Sequence, residues 1–299
     1  MFSNQRAGVL GAYAGMCAIW GTTWLVIKIA LHYGPPMTGV GLRFVIAGLA
    51  LGAVGLTQPR PRAATPWKLV AVLAFFLFGL NYVCTYAAET RLDSGLVAVL
   101  FGTLPFFMFG LGHYVAHELT TPRIWIGAVI AFAGVAIISL GSQVQGSPLF
   151  ALAAIVAAAS SAFANVYAKR HAHHAPLVTL PPAMIIAGVV VGVFGALTEH
   201  PDWHAILSAP SLGAIGYLAL VGSGIAFFFN LWLLQRIAAW VVGLSSLIIP
   251  VLAVTVGVVF GSEHFGAREI LGSLAVVAGM AVALTKQTAG EITPAECDV

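Results

Sequence analysis

The chain has 299 residues, 60% hydrophobic and 8% charged, with a formal net charge of +3. A soluble domain carries about 25% charged residues, so this composition, with a mean hydropathy of +0.98, excludes an ordinary water-facing surface and implies a lipid-facing one. The scattered basic residues exclude a nucleic-acid-binding face, and Cys17, Cys84 and Cys297 lie too far apart for a disulfide framework or a metal box.

In chain order, apolar stretches bounded by charges or prolines predict ten membrane-spanning helices, near 7–32, 38–57, 67–88, 94–116, 123–142, 148–170, 177–198, 209–235, 239–261 and 266–286. The first stretch, Ala7 to Leu31, is longer than the apolar core of a signal peptide and is expected to be a true span. Within it, "IWGTTWLVIK" places Trp20, Trp24 and Lys28 four residues apart, on one helical face. A lysine in hydrocarbon is costly, so this face either lines a wet space or lets Lys28 snorkel to the membrane boundary. His171, His173 and His174 read as a solvated connection rather than a metal site. The polar tail after the last span is expected to be disordered and cytoplasmic.

Orientation follows from the basic residues. With the amino terminus inside, Arg6, Arg60, Arg62, Lys68, Arg123, Lys169, Arg170, Arg236 and Lys286 fall at inner ends. Lys28, Arg43, Arg91 and Arg268 fall in outer halves. That bias predicts a multi-pass protein of the bacterial inner membrane with both termini cytoplasmic.

The chain also repeats itself. "GLALGAVG" at 48–55 and "GVVVGVFG" at 188–195 share a GxxxGxxG spacing, and Pro105/Pro250, Glu118/Glu263, Gly127/Gly272 and Gly134/Gly279 are each displaced by 145 residues. One GxxxG marks only close helix packing. The ordered series implies a five-helix unit used twice, residues 1–143 and 144–287, followed by the tail 288–299. Because five is odd, the second unit enters the membrane from the opposite side. The expected fold is therefore all-α, with ten transmembrane helices as two inverted-topology repeats around a central cavity, an arrangement suited to alternating-access transport. Pro105 and Pro250 free the carbonyls of Phe101 and Ser246 near mid-span, which suits a pair of hinges or cavity-lining kinks.

With the repeat in view, the chain resembles the EamA-type transporters of the drug/metabolite transporter superfamily over nearly its whole length. The resemblance rests on "IWGTTWLVIKIAL", "LRFVIAGL", and the paired segments "TLPFFMFGLGHYVAHELTTPRIWIGAVIAFAGVAI" and "IIPVLAVTVGVVFGSEHFGAREILGSLAVVAGMAV". It implies export of small metabolites, including aromatic amino acids, and a cavity walled by helices 1–4 and 6–9. The substrate-binding candidates in those helices are Trp20, Trp24, Lys28, Asn81, Tyr82, Thr85, Tyr86, Phe101, Ser160, Phe163, Asn165, Asn230, Ser245 and Ser246. Aromatic faces and amides at mid-depth suit an amphipathic aromatic solute. The same residue types also serve as interfacial belts, interhelical hydrogen bonds and plain packing.

Arg43 and Lys28 are the candidates for a substrate carboxylate; for Arg43, which faces Ala183 in the repeat alignment, a structural charge is slightly favoured over that role. Glu118 and Glu263 are expected to anchor helix ends. The ten carboxylates all lie at boundaries, in loops or in the tail, and His113 is the nearest titratable candidate for a proton relay. Facilitated movement or weak proton coupling is expected, with no direct use of ATP, since no Walker A motif occurs. No cofactor and no metal are implied. The expected partners are a small-molecule substrate and the lipid bilayer, not nucleic acid, and the expected state is a monomer. The alternatives are a multidrug or organic-cation exporter, a metabolite uptake carrier of the same fold, and a membrane scaffold or embedded enzyme. An enzyme would need a nucleophile with its base, paired carboxylates or metal ligands, none of which is found.

Overall fold

A computed structural model describes residues 2–58, 64–92, 94–139, 148–261 and 266–284. It is helical throughout. The helices are α1 (Phe2–Tyr33), α2 (Pro36–Leu56), α3 (Trp67–Glu89), α4 (94–116), α5 (Pro122–Ser139), α6 (Pro148–Arg170), α7 (Pro176–Thr198), α8 (Ala209–Leu234), α9 (239–261) and α10 (Ala267–Leu284). A single turn, Trp203–Ile206, precedes α8 and is capped by the Asp202 carboxylate. Seven of these helices are long and apolar enough to cross a membrane, and Pro122–Ile138, Ala239–Leu252 and Ile270–Leu284 are shorter apolar helices. Prolines open several of them: Pro36 and Pro176 fall in the first turn, where a missing N–H costs nothing. Glu263 and the tail lie outside the described residues.

Two seams hold the bundle together, and glycine makes both possible. Along α2 and α7, a Cβ on Gly188 would lie 2.7 Å from the Val45 amide nitrogen, and one on Gly48 would lie 2.9 Å from the Pro181 carbonyl. A Cβ on Gly41 would strike the Gly192 backbone. Along α5 and α10, a Cβ on Gly134 would lie 2.6 Å from the Gly272 carbonyl oxygen, and one on Gly127 the same distance from that of Gly279. With lipid as solvent, such backbone-to-backbone packing takes the place of a hydrophobic drive. The register is telling. Low-numbered positions of one helix meet high-numbered positions of the other, so each helix runs antiparallel to its repeat-mate. The opposite faces carry exposed Val190, Phe194 and Leu197 on α7, and Leu271, Leu274 and Val277 on α10. These helices are apolar all round, small inward and large toward lipid.

The halves match in finer detail too. Residues Leu73–Leu80 of α3 and Leu220–Ile225 of α8 run as π-helix, and Gly79 and Gly224 occupy these segments 145 residues apart. A π-helical stretch widens the turn and leaves carbonyls open to outside donors. The Phe76 carbonyl accepts from Ser160 Oγ at 2.7 Å, and the Gly222 carbonyl accepts from Trp20 Nε1 at 3.3 Å. Trp20 and Ser160 are themselves equivalent, 140 residues apart. Each half thus plugs the loosened helix of the other with a side chain from its own first helix. The proline helices are less alike. α4 breaks at Gly102 and Thr103, just before Pro105, whereas α9 is interrupted at Leu244 and carries Pro250 inside its second piece.

Candidate substrate-binding cavity

A central cavity opens between α1, α2, α3, α4, α6, α8 and α9, and among the described residues none of its wall comes from α5, α7 or α10. It leaves about 140 Å³ for the centres of water molecules, room for several waters or one small metabolite. Trp20, Asn81, Tyr82, Thr85, Tyr86, Phe101, Asn165, Asn230, Ser245 and Ser246, all singled out from sequence, are on its wall. Pro250 is there as well, whereas Pro105 is buried outside it. The side chains of Trp24 and Lys28 lie outside the described residues.

Two candidates do not reach the cavity. Ser160 spends its hydroxyl on the Phe76 carbonyl, and Phe163 packs edge-on to Phe76 at 4.8 Å between ring centres. On α6 the inward face is set by Ser161 and Asn165, one turn apart, and residues 160 and 163 point away from that line. His113 is exposed and stacks edge-on with Tyr114, away from the cavity, so it is no relay in this wall.

Arg43, read from sequence as either a carboxylate-binding residue or a structural charge, is on the wall and 2% exposed. Sequence reasoning missed two features. Glu89, at the end of α3, is also on the wall, so boundary position did not keep every carboxylate out of the cavity. Phe227, flanked by apolar residues, carried no signal, yet it is the hub of the aromatic floor. Its ring lies 5.4 Å from that of Trp20 and 4.9 Å from that of Phe78, both edge to face. Phe44 extends the cluster, 5.0 Å from Phe78 and 4.7 Å from Tyr82. Such T-shaped contacts are directional and fix the rings.

The polar groups are largely engaged with one another. Asn230 Nδ2 donates to Asn165 Oδ1 at 2.7 Å, bridging α8 to α6, and Asn165 Nδ2 donates to the Ser161 carbonyl at 2.8 Å. Asn81 Nδ2 donates to the Leu77 carbonyl, and Thr85 Oγ1 donates to Asn81 Oδ1 at 3.3 Å. Arg43 Nε donates to Ser223 Oγ at 2.6 Å and its Nη2 to the Gly222 carbonyl at 3.2 Å. Among the described residues no group of three His, Cys, Asp or Glu is placed to hold a metal ion.

One end of the cavity is tied shut across elements. Tyr13 donates to the Val241 carbonyl, Lys169 to the Ile237 carbonyl and Arg170 to the Val115 carbonyl. Glu118, carried back by the left-handed His117 (φ 53°), accepts from the Ala239 amide at 2.7 Å and from the Trp240 amide at 3.5 Å. It thereby caps α9. Burial pushes the Glu118 carboxyl above its usual 4.5, while the two amides and Lys169 pull it back down.

Helices of this length enclosing a cavity define a multi-pass membrane transporter. The EamA-like transporter family matches residues 6–140 and again 148–285, so the chain belongs to that family, duplicated within one polypeptide, and it is not an enzyme. It is 28% identical over 94% of its length to the uncharacterized inner membrane transporter YedA of Escherichia coli K12, covering 92% of that protein. It is 28% identical over 88% of its length to the uncharacterized transporter YoaV of Bacillus subtilis, covering 91% of it. A probable amino-acid metabolite efflux pump of Salmonella typhimurium is 25% identical, over 88% of this chain and 90% of its own. One crystal structure superposes with a TM-score of 0.78 at 20% identity, covering 93% of this chain and 96% of its own, which shows the fold alone.

Proposed function

We propose that the protein exports amino acids, aromatic ones among them, across the bacterial inner membrane by alternating access between two inverted halves, with both termini in the cytoplasm. The observation that carries this reading is the cavity wall. Aromatic rings from α1, α3 and α8 stand beside amide and hydroxyl groups from α3, α6, α8 and α9. Rings suit an apolar side chain and the polar groups suit its charged end. The name of the Salmonella relative, a probable amino-acid metabolite efflux pump, agrees with it. Antiparallel contact of repeat-mates supports the inversion, and the repeat boundary is best drawn between residues 143 and 144. The end tied by Glu118, Lys169 and Arg170 is then the cytoplasmic one, so this conformation is closed toward the cytoplasm. Two complementary halves within one chain leave no need for a second copy, which supports a monomer.

The test is flux of labelled Trp, Phe, Thr and a planar dication through purified protein in liposomes, with and without a pH gradient. Saturable Trp and Phe movement is expected, falling at least tenfold in Trp20→Ala and Tyr82→Ala at unchanged protein recovery. Movement of the dication alone would replace the substrate class with organic cations. Flux that stops without a proton gradient would replace facilitated movement with obligate proton coupling.

A further inference from the structure

We propose that Arg43 binds the carboxylate of the transported molecule, which makes the cavity selective for solutes with an anionic head group. The inference deepens the transport reading above and rests on it. Arg43 comes from the middle of α2, the helix otherwise committed to the glycine seam with α7, and it is 2% exposed. Its two hydrogen bonds go to neutral acceptors of the π-helical segment of α8, Ser223 Oγ and the Gly222 carbonyl. They hold the guanidinium plane still. Nη1 is left buried with no hydrogen-bond partner, although the Tyr86 hydroxyl adjoins the group.

A buried guanidinium fixed in the wall with its Nη1 open is a poor structural element and a good anion receptor. The charge is costly to bury unless something completes it. A planar fork with free donors matches a carboxylate in geometry as well as charge. The Tyr86 hydroxyl adjoins the group and Glu89 is on the same wall, yet Nη1 still has no hydrogen-bond partner. The Asn81, Asn165 and Asn230 amides are spent within the wall, and the Tyr82 ring, whose centre is 5.3 Å from the guanidinium carbon, offers only its face. The repeat-mate of Arg43 is Ala183, so among the described residues this wall has one such receptor, which sets the orientation of the bound molecule, head toward α2 and side chain toward Phe227 and Trp20.

The test uses intact protein purified in detergent, read by tryptophan fluorescence and thermal midpoint, with three probes that share a ring: L-phenylalanine, 3-phenylpropionate and 2-phenylethylamine. The amino acid and the carboxylate should bind saturably, and the amine, which lacks only the carboxylate, at least tenfold more weakly. In Arg43→Gln that preference should vanish. Ser223→Ala keeps the charge while removing the Nε contact, so it should weaken binding yet retain the preference, even where Arg43→Gln fails to fold. An amine that binds as tightly as the amino acid overturns the proposal. So does a carboxylate preference that survives in folded Arg43→Gln, or binding of none of the three probes. Carboxylate-selective binding without amino-acid flux in liposomes keeps the role of Arg43 and removes the export reading. Flux of an organic cation alone removes both.

Discussion

Glu118 shows how one side chain can close a helix end in a membrane protein. The first amides of α9 have no partner within the helix, and an unsatisfied amide near hydrocarbon is expensive. The carboxylate supplies that partner from α4's trailing turn, across 121 residues of chain. The charge itself is a liability, because burial holds the carboxyl above its usual 4.5 despite the amides. Glu118→Gln keeps an acceptor oxygen and sheds the charge, so its thermal midpoint should stay close to the parent's at pH 7. Glu118→Ala leaves the amides bare and should cost about 1 kcal/mol. The pH sign follows from the raised carboxyl. The folded protein holds this proton more tightly than the unfolded chain, so its contribution is full below the unfolded value and is lost as pH rises through the folded one. Melting temperatures across pH 4 to 8 should show that decline in the parent and not in Glu118→Gln.

The helices of this bundle divide into two kinds. α2, α7, α5 and α10 pack through glycine at backbone distance, and among the described residues three of the four give the cavity nothing. α1, α3, α4, α6, α8 and α9 carry most of the wall, and α3 and α8 each give up regular helix geometry over one segment. The seams should therefore tolerate no bulk. Gly188→Leu inserts a side chain where even a Cβ would lie 2.7 Å from the Val45 nitrogen, and overpacking of this kind costs about 1–3 kcal/mol or prevents assembly. Gly110→Leu, on α4 where a Cβ meets nothing within 4 Å, should be neutral. Thermal melts of the two variants in the same detergent make the comparison. The π-helical segments serve differently, since their open carbonyls give Trp20, Ser160 and Arg43 something to grip in the opposite half. A wide turn is also a joint that can shift by one residue, which suits a helix that must move.

At the scale of the whole molecule, the contacts come in exchanged pairs. α1 packs on α9 as α6 packs on α4, α3 touches α6 as α8 touches α1, and the two seams map onto themselves. A structure so paired has a second arrangement in which the halves trade roles, and that exchange is what alternating access requires. With the Glu118 end closed, the opposite mouth should admit water. Thr85→Cys, on the cavity wall, should react with a membrane-impermeant thiol reagent added outside cells, in a background with Cys17, Cys84 and Cys297 replaced by serine. Saturating substrate should slow that reaction severalfold. Labelling only from the cytoplasmic side of inverted vesicles would reverse the orientation.

What the sequence determined by itself was the scaffold. Apolar length marks where helices cross, because the bilayer thickness and the cost of bare backbone leave few solutions. The glycine and proline repeats, legible at fixed displacement, foretold the two halves, whereas the pairing of helices in the two seams came only with the fold. Most of the wall was legible too, since an asparagine or tyrosine at mid-span stands out against an apolar background. The tertiary structure decided which face of each helix looks inward. On α6 that turned the choice from Ser160 and Phe163 to Ser161 and Asn165, residues that composition cannot separate. It also decided the meaning of charge. Arg43, in an outer half, and Glu89, at a helix end, carry no inward direction in a linear chain, and only the packing of α2 and α3 against α8 and α4 brings both to one cavity. Helix period and hydropathy are local properties, whereas the inward direction is set by the neighbours a helix acquires on folding.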